Sequence, residues 1–333
     1  MTSLPCRLVA GLGRIVAACA AAATLLLPAT ATAQDYPSRP IRLVVPYPAG
    51  GTTDILARLA AVQLGERLKQ AVVVDNRAGA SGAIGSAEVA RAAPDGYTLL
   101  MATASSHGIN SALYRKLPYD AVKDFAPVTL LASTPNIIVV NPAVPATNLR
   151  ELIALAKAQP GKLNFGSTSL GGSPHMSAEL LKLEAGIDIV HVPYKGAAPM
   201  LTDLLAGQIQ IGFDNLPSTI NFVNTGKVRA IAVTTPQRWP GAPDIPTVAE
   251  SGLSRYEVSG WFGLLAPAGT PKAVLDTLQG ALAAAVRQPE VAQRMLELGA
   301  RPIASTPEEF ARQIPQEVKK WQDVVKATGV SIE

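Results

Sequence analysis

The sequence predicts an α/β protein of two domains, in each of which a mostly parallel sheet carries helices on its faces. Short apolar runs alternate with segments of helical periodicity along almost all of residues 34–333, the pattern of β-loop-α units in series. Two proline-rich stretches, 127–142 and 239–271, divide these units into two series. Because the chain crosses twice, we expect a discontinuous first domain, 34–132 with 261–333, and a second domain, 133–260, inserted into it.

Three β-loop-α units form the first series. The run "IRLVV" at 41–45 is typical of a buried strand, and apolar residues from Ile55 to Leu64 follow it at helical spacing. The runs "AVVVD" at 71–75 and "GYTLLMAT" at 96–103 each lead through a loop rich in small residues into another helix. Strands joined by helical crossovers pair in parallel, so this series predicts a parallel sheet.

The second series begins after the stretch 127–142, which three prolines make too broken for one long central strand. Strands are predicted at 163–167, 189–194, 209–213 and 228–234. A helix at 148–158 precedes the first of them, and helices at 173–183 and 198–207 lie between them. After the second proline-rich stretch only helices are expected. They begin at Thr270 and at Thr306, where Glu309 completes a capping box.

Residues 1–33 have the features of a signal peptide. Arg7 and Arg14 precede an apolar run at 15–27, and the small residues 31–33 offer a cleavage site before Gln34. The alternative is a lipoprotein box ending at Cys19. Both cysteines, Cys6 and Cys19, lie in this leader, so cleavage before Gln34 leaves no disulfide in the exported chain. Without the leader the formal net charge falls from +4 to about +2, which does not favour nucleic acid as a partner.

The sequence offers little support for an enzyme, a metal site or a cofactor. Its three histidines, His107, His175 and His191, have no metal-ligand spacing. The glycines at 79–85 lack the dinucleotide pattern, and "GSTSLGG" at 166–172 is not a nucleophile elbow. We therefore predict a binding protein without catalytic residues, metal or cofactor.

The loops instead offer backbone N–H groups and hydroxyls to an anion. Each glycine-containing loop opens a helix, and a helix N-terminus attracts carboxylate or phosphate without needing a cation. Thr53 and Ser173 stand where N-caps belong, so capping and ligand contact both remain open. His175 is either a donor to a carboxylate or a structural residue. Asp54 is predicted to be structural, and Lys195 is the one cation among these loops.

Five stretches resemble a known family. "PYPAGGTTD", "DNRAGASGAIGS", "PDGYTLLMATASSHGINSALYRKLPYD", "VPYKGAAPMLTDLLAGQIQIGFDNLPS" and "LLAPAGTP" are similar, in order and spacing, to the tripartite tricarboxylate transporter receptors, the Bug proteins. The resemblance implies a monomeric periplasmic binding protein of the type II, Venus flytrap fold. It also implies a small carboxylate ligand and a membrane permease of one large and one small subunit as partner.

The resemblance also implies the ligand-binding residues, held in loops from both domains: Gly51, Thr52, Thr53, Ser81, Gly82, Ser105, Ser106, Ser169, Gly172, Ser173, His175 and Asp214. Tyr47 joins them on its position alone, because an aromatic residue between Pro46 and Pro48 at a strand end suits the wall of a cleft. Ala80, Ser81 and Leu170 depart from the usual family pattern, which leaves the identity of the carboxylate open. Two alternatives to a transport receptor remain at this point: a ligand sensor for a signalling partner, and an enzyme on the same scaffold.

Overall fold

The computed structural model describes residues 36–328. The predicted signal peptide, its cleavage site and both cysteines lie outside the described residues. In the described part of the chain, the strands are β1 Ile41–Val45, β2 Val72–Asn76, β3 Thr98–Thr103, β4 Phe125–Val140, β5 Asn164–Ser167, β6 Val190–Pro193, β7 Ile211–Asn215, β8 Arg229–Val233, β9 Ser259–Pro267 and β10 Arg301–Pro302. The helices are α1 Thr52–Leu68, α2 Ala83–Ala90, α3 Asn110–Leu113, α4 Leu149–Ala158, α5 Ser173–Ala185, α6 Ala197–Leu205, α7 Leu216–Asn224, α8 Lys272–Val286, α9 Pro289–Glu297 and α10 Pro307–Thr328.

The strands hydrogen-bond in the order β2-β1-β3-β9-β4-β7-β5-β6, with β8 and β10 each pairing with β4. Parallel pairs join β1 to β2 and β3, and β5 to β6 and β7, as the β-loop-α pattern predicts. The pairs that involve β4 or β9 are antiparallel, so the sheet is mixed. We call the part around β1, β2 and β3 the first lobe and the part around β5, β6 and β7 the second lobe.

Strand β4 connects the two lobes. Its residues up to Pro135 pair with β9, and its residues from Asn136 onward pair with β7. The prediction that prolines would prevent one long strand here is wrong. Pro127 lies beside a register shift, and Pro135 lies at the point where the partner strand changes. Regular pairing is interrupted at both places, so a proline, which has no N–H to donate, is tolerated there.

The helix termini follow the sequence signals with small displacements. At the start of α10, Thr306 Oγ1 accepts from Glu309 N and Glu309 Oε2 accepts from Thr306 N, which confirms the capping box. Thr270 does not cap α8, because Pro271 occupies the N-cap and the Thr270 hydroxyl donates to Pro267 O. A two-residue strand, β10, interrupts the helices predicted for the end of the chain.

Each lobe has its own apolar core, and α10 contributes to both. Phe310 and Ile314 pack with Trp261 and Leu265 in the core of the first lobe. Near the C-terminal end of the same helix, Trp321 is buried in the core cluster that contains most of the apolar residues of the second lobe. Burying one large side chain contributes about 1.5–3 kcal/mol, so α10 links the two cores through its apolar residues.

Candidate ligand-binding cleft

A cavity, here called the inner cleft, lies where the loops after β1 and β3 meet the loops after β5 and β7. It holds about 510 Å³ of empty space, part of it open to solvent. In open α/β sheets, ligands bind at the carboxyl ends of the strands, which is where this cavity lies. The lining residues are Tyr47, Pro48, Gly51, Thr52, Thr53, Thr103, Ala104, Ser105, Thr168, Ser169, Ser173, Pro174, Gly196, Ala197, Asp214, Asn215, Gly260, Trp261 and Phe262.

The first lobe contributes the N-terminus of α1. Gly51 has extended backbone angles and is the N-cap, so the helix begins at Thr52. The interpretation of Thr53 as a cap is therefore wrong, because the glycine takes that position and Thr53 is the second helical residue. Helix α1 has 17 residues, and its first N–H groups, at the cleft, have no acceptor within the helix.

Asp54 supports this turn from inside, as its predicted structural role requires. Its carboxylate accepts from Gly50 N at 3.0 Å, Arg58 Nε at 2.9 Å and Asn76 Nδ2 at 3.0 Å. Burial opposes its ionisation, but these hydrogen bonds outweigh burial and lower the pKa of Asp54. The carboxylate thus holds the turn, and Asp54 is not among the residues that line the inner cleft.

The second lobe contributes the N-terminus of α5. Gly172 is the N-cap and Ser173 is the first helical residue, so the capping role suggested for Ser173 also belongs to a glycine. A Cβ on Gly172 would clash with the Ser169 hydroxyl, so a larger residue here would require that side chain to move. The Ser173 hydroxyl donates to Asn136 Oδ1 at 3.1 Å, and Ser173 N donates to Ser105 Oγ of the first lobe at 3.0 Å.

His175 lies behind this turn and does not line the inner cleft. Its Nδ1 accepts from Gly171 N at 2.9 Å, its Nε2 is 3.6 Å from Glu179 Oε1, and its ring stacks on His191 at 4.0 Å between centroids. Burial lowers the pKa of His175, which favours the neutral ring that this hydrogen bond needs. The arrangement fixes the backbone of the turn.

Asp214 is the only charged residue among the described residues that line the inner cleft. It accepts from Ser218 Oγ at 2.7 Å, from Thr219 Oγ1 at 2.6 Å and from Asn215 N at 2.7 Å. Burial raises the pKa of Asp214 to about 6, although these hydrogen bonds act in the opposite direction. The cleft therefore offers a hydrogen-bond acceptor whose charge changes in the mildly acidic range.

Of the remaining predicted residues, Ser81, Gly82 and Ser106 lie around the inner cleft without lining it, whereas Tyr47 and Ser169 line it. Ser81 and Gly82 face a second cavity next to it. Ser106 is buried, accepts from Thr103 N at 3.0 Å and lies 2.9 Å from His107 Nδ1, so it shapes the turn after β3. Tyr47 lines both cavities, and its hydroxyl donates to Ser81 O at 3.1 Å.

The loops of the two lobes are joined directly by side-chain hydrogen bonds. Besides the bond from Ser173 N to Ser105 Oγ, the hydroxyls of Thr52 and Ser218 are 3.0 Å apart. Ser81 Oγ donates to Leu170 O. Each bond contributes about 0.5–1.5 kcal/mol net, so together they favour close contact between the lobes.

Sequence reasoning missed the part of the cleft that comes from β9, namely Gly260, Trp261 and Phe262. A Cβ on Gly260 would lie 2.9 Å from Asn215 Nδ2, so the glycine lets β9 approach the start of α7. The available signal was the apolar run "SGWFGLLAP" inside a stretch that was interpreted only as a crossing.

Within residues 36–328 there is no cluster of three or more His, Cys, Asp or Glu residues that could bind a metal ion. None of the helices described is both long and apolar enough to cross a membrane.

The fold and the cleft between the lobes define a two-domain periplasmic binding protein. The chain belongs to the tripartite tricarboxylate transporter family receptors (TctC), whose family profile matches residues 56–330. It is 36% identical over 311 residues to the protein BugT of Bordetella pertussis, covering 93% of this chain and 95% of that one. Members of this family are substrate-binding receptors and not enzymes.

Two solved structures show the same fold. An R. palustris protein determined with adipate is 40% identical, with a TM-score of 0.87, covering 89% of this chain and 99% of that one. The protein MatC of Rhodopseudomonas palustris, determined with bound malate, is 34% identical with a TM-score of 0.82, covering 87% and 100% of the two chains.

Proposed function

We propose that this protein captures a small carboxylate in the inner cleft and presents it to the membrane subunits of a tripartite transporter. The observation that carries the proposal is that the N-termini of α1 and α5 meet at a cleft with no lysine or arginine in its described lining. Each helix terminus is equivalent to about half a positive charge, so the pair suits one carboxylate. The adipate and malate found with two similar proteins support this ligand class.

In this proposal the predicted residues divide into three groups. Those that line the inner cleft contact the ligand: Tyr47, Gly51, Thr52, Thr53, Ser105, Ser169, Ser173 and Asp214. Ser106, Gly172 and His175 hold the turns that present these groups. Ser81 and Gly82 form the rim. Asp214 selects by polarity, because its carboxylate accepts from a hydroxyl or amine of the ligand and repels a second carboxylate.

Closure of the two lobes is the proposed signal to the permease. The proposed domains are 34–132 with 261–333 and 133–260. The strand β4, whose partner changes from β9 to β7 between Pro135 and Asn136, carries the chain across near the first boundary. A carboxylate that contacts both helix termini stabilises the closed form by its difference in affinity for the two forms. In this proposal the mature protein is a periplasmic monomer released by cleavage before Gln34, and its partner has one large and one small subunit.

Native mass spectrometry of the purified protein, followed by calorimetric titration with mono-, di- and tricarboxylates, tests the function. The matched control is the diamide of each diacid that binds, which has the same shape without the charge. We expect at least one acid to bind and its diamide not to. A ligand at about 100 times its Kd adds about 2.7 kcal/mol of stability, which a thermal shift detects. Binding of diamide and acid with equal affinity, or conversion of a bound acid to product, would contradict the proposal.

A further inference from the structure

A second cavity, here called the outer chamber, adjoins the inner cleft. It holds about 1170 Å³ of empty space, part of it open to solvent, compared with about 510 Å³ for the inner cleft. The two cavities share five lining residues, Tyr47, Pro48, Thr168, Ser169 and Gly196. The outer chamber is therefore continuous with the wall of the proposed ligand site.

The lining of the outer chamber differs in chemistry from that of the inner cleft. Small and apolar residues and the rings of Tyr114 and Tyr194 make up most of it, and Lys195 is the only charged residue among its described lining residues. The Tyr194 hydroxyl donates to Asp203 Oδ2 at 2.7 Å and is already satisfied. Lys195 is exposed and makes no ion pair with any described side chain.

The boundary between the cavities is a close approach of the two lobes. A Cβ built on Gly196 would lie 3.0 Å from Pro48 Cγ, and its φ of +118° also favours glycine. Gly196 N donates to Thr168 O at 2.8 Å, which fixes the strand end that carries Lys195 next to this boundary. Tyr47 and Ser169, which line both cavities, stand at the same boundary.

The charges on either side of this boundary are opposite. Among the described residues, the only charged one that lines the inner cleft is the acidic Asp214, and the only one that lines the outer chamber is the basic Lys195. Consider a diacid that places one carboxylate at the helix termini. If the diacid is short, its other carboxylate stays in the inner cleft, where Asp214 repels it. If the molecule is long enough to pass Tyr47, its second carboxylate reaches a cation through an apolar lining.

We propose, on the basis of the proposed function, that the outer chamber is a second subsite that binds the far carboxylate of an elongated, apolar diacid, with Lys195 as its counter-ion. The ligand class is thus an α,ω-diacid with an uninterrupted apolar middle, aliphatic or aromatic. Short hydroxylated diacids do not reach the outer chamber.

The test is a calorimetric titration series with succinate, adipate, pimelate and azelate, and with heptanoate and nonanoate as monoacids of matched length. It uses the wild-type protein, Lys195→Met and Lys162→Met. Lys162 is an exposed lysine of the same lobe that lines neither cavity, so its variant controls for the loss of one positive charge. All titrations are repeated at low and at physiological ionic strength, since an exposed ion pair is screened by salt.

We expect the wild type to bind pimelate or azelate at least five-fold more tightly than succinate and than the matched monoacid. Lys195→Met is expected to remove about five-fold of the affinity for the long diacids and less than two-fold for succinate and the monoacids. Equal affinity for long and short diacids, or an equal loss in both lysine variants, would overturn the subsite and leave the receptor function standing. Failure of every carboxylate to bind would overturn the receptor function and the subsite with it.

Discussion

His107 makes a quantitative prediction about acid stability. Its side chain is fully buried beside the rings of Tyr119 and Phe125, its Nδ1 lies 2.9 Å from Ser106 Oγ, and its Nε2 has no hydrogen-bond partner among the described residues. Protonation would place a charge in this apolar site, so burial lowers the pKa of His107 to about 3. In the unfolded chain its pKa is about 6.5.

The sign of the effect follows from proton binding. Between pH 6.5 and pH 3 the unfolded chain binds a proton at His107 and the folded protein does not, so stability is lost as the pH falls through this window. Each pH unit well inside the window costs about 1.4 kcal/mol. Lowering the pH from 7.5 to 5.0 therefore removes about 2 kcal/mol of unfolding free energy through this one residue.

The assay is urea unfolding of the wild type and of His107→Leu at several pH values between 7.5 and 5.0. Leucine has a similar volume and cannot titrate, so the variant is expected to lose about 2 kcal/mol less than the wild type over this range, whatever its stability at pH 7.5. The control is Phe125→Leu, which perturbs the same cluster and leaves the histidine in place; we expect its pH dependence to match the wild type.

Other groups contribute to the wild-type profile, but they cancel in this comparison. Burial also lowers the pKa of His175 and lowers that of His191 to about 3, so both add to the loss in acid. Asp214 acts in the opposite sense, because its raised pKa of about 6 makes the folded protein take up a proton first and gain stability as the pH falls. Profiles of His107→Leu and wild type that stay parallel within about 0.5 kcal/mol would refute the assignment of a neutral buried histidine.

Three further predictions concern the cleft. Gly51→Val adds a branched side chain at the N-cap of α1, where extended angles accept any residue, so we expect more than ten-fold weaker carboxylate binding in calorimetry with an unchanged melting temperature; unaltered affinity would exclude this turn from the site. Gly82 has a φ of +89°, and in Gly82→Ala the added Cβ would lie 2.9 Å from the Tyr47 hydroxyl, so we expect the free energy of unfolding in urea to fall by about 1–3 kcal/mol. Thr52→Val removes the bond to Ser218 between the lobes, so we expect closure to weaken by about 1 kcal/mol and the radius of gyration measured by X-ray scattering to increase; an unchanged radius of gyration would contradict a role for this bond in closure.

The local features of the cleft could be predicted from sequence because they depend on near neighbours. A glycine followed by hydroxyl residues after an apolar run indicates a strand end and a helix start, and both α1 and α5 begin at such a place. The caps were assigned one or two residues late. Serine and threonine are the commoner capping residues, whereas glycine holds both cap positions here. A Cβ on Gly172 would clash with the Ser169 hydroxyl, but the nearest atom to a Cβ on Gly51 is Pro48 O at 3.8 Å, so crowding does not account for that glycine.

The contribution of β9 could not be predicted because it depends on pairing between distant segments. Trp261 pairs with Ser133 of β4, and β9 lies between β3 and β4 in the sheet. Periodicity identifies a strand but not its partners, so the proline-rich stretch gave no indication that it lines the cleft. The position of His175 illustrates the same limit, since its ring is directed by contacts with His191 and Gly171 that the sequence does not specify.

The contacts between the lobes place a constraint on any ligand. Ser105 Oγ accepts the Ser173 N–H at one helix terminus, so a carboxylate that takes this N–H must displace the serine hydroxyl. The Ser173 N–H then exchanges its neutral hydrogen bond with Ser105 for a charge-assisted one with the ligand, which is about twice as strong. The affinity for a ligand therefore depends on how much more strongly the bound carboxylate holds the lobes together than the bond between Ser173 and Ser105 does. Neutral analogues of the same shape, which offer only the weaker kind of bond, gain almost nothing from the exchange, so charge is what the cleft selects first.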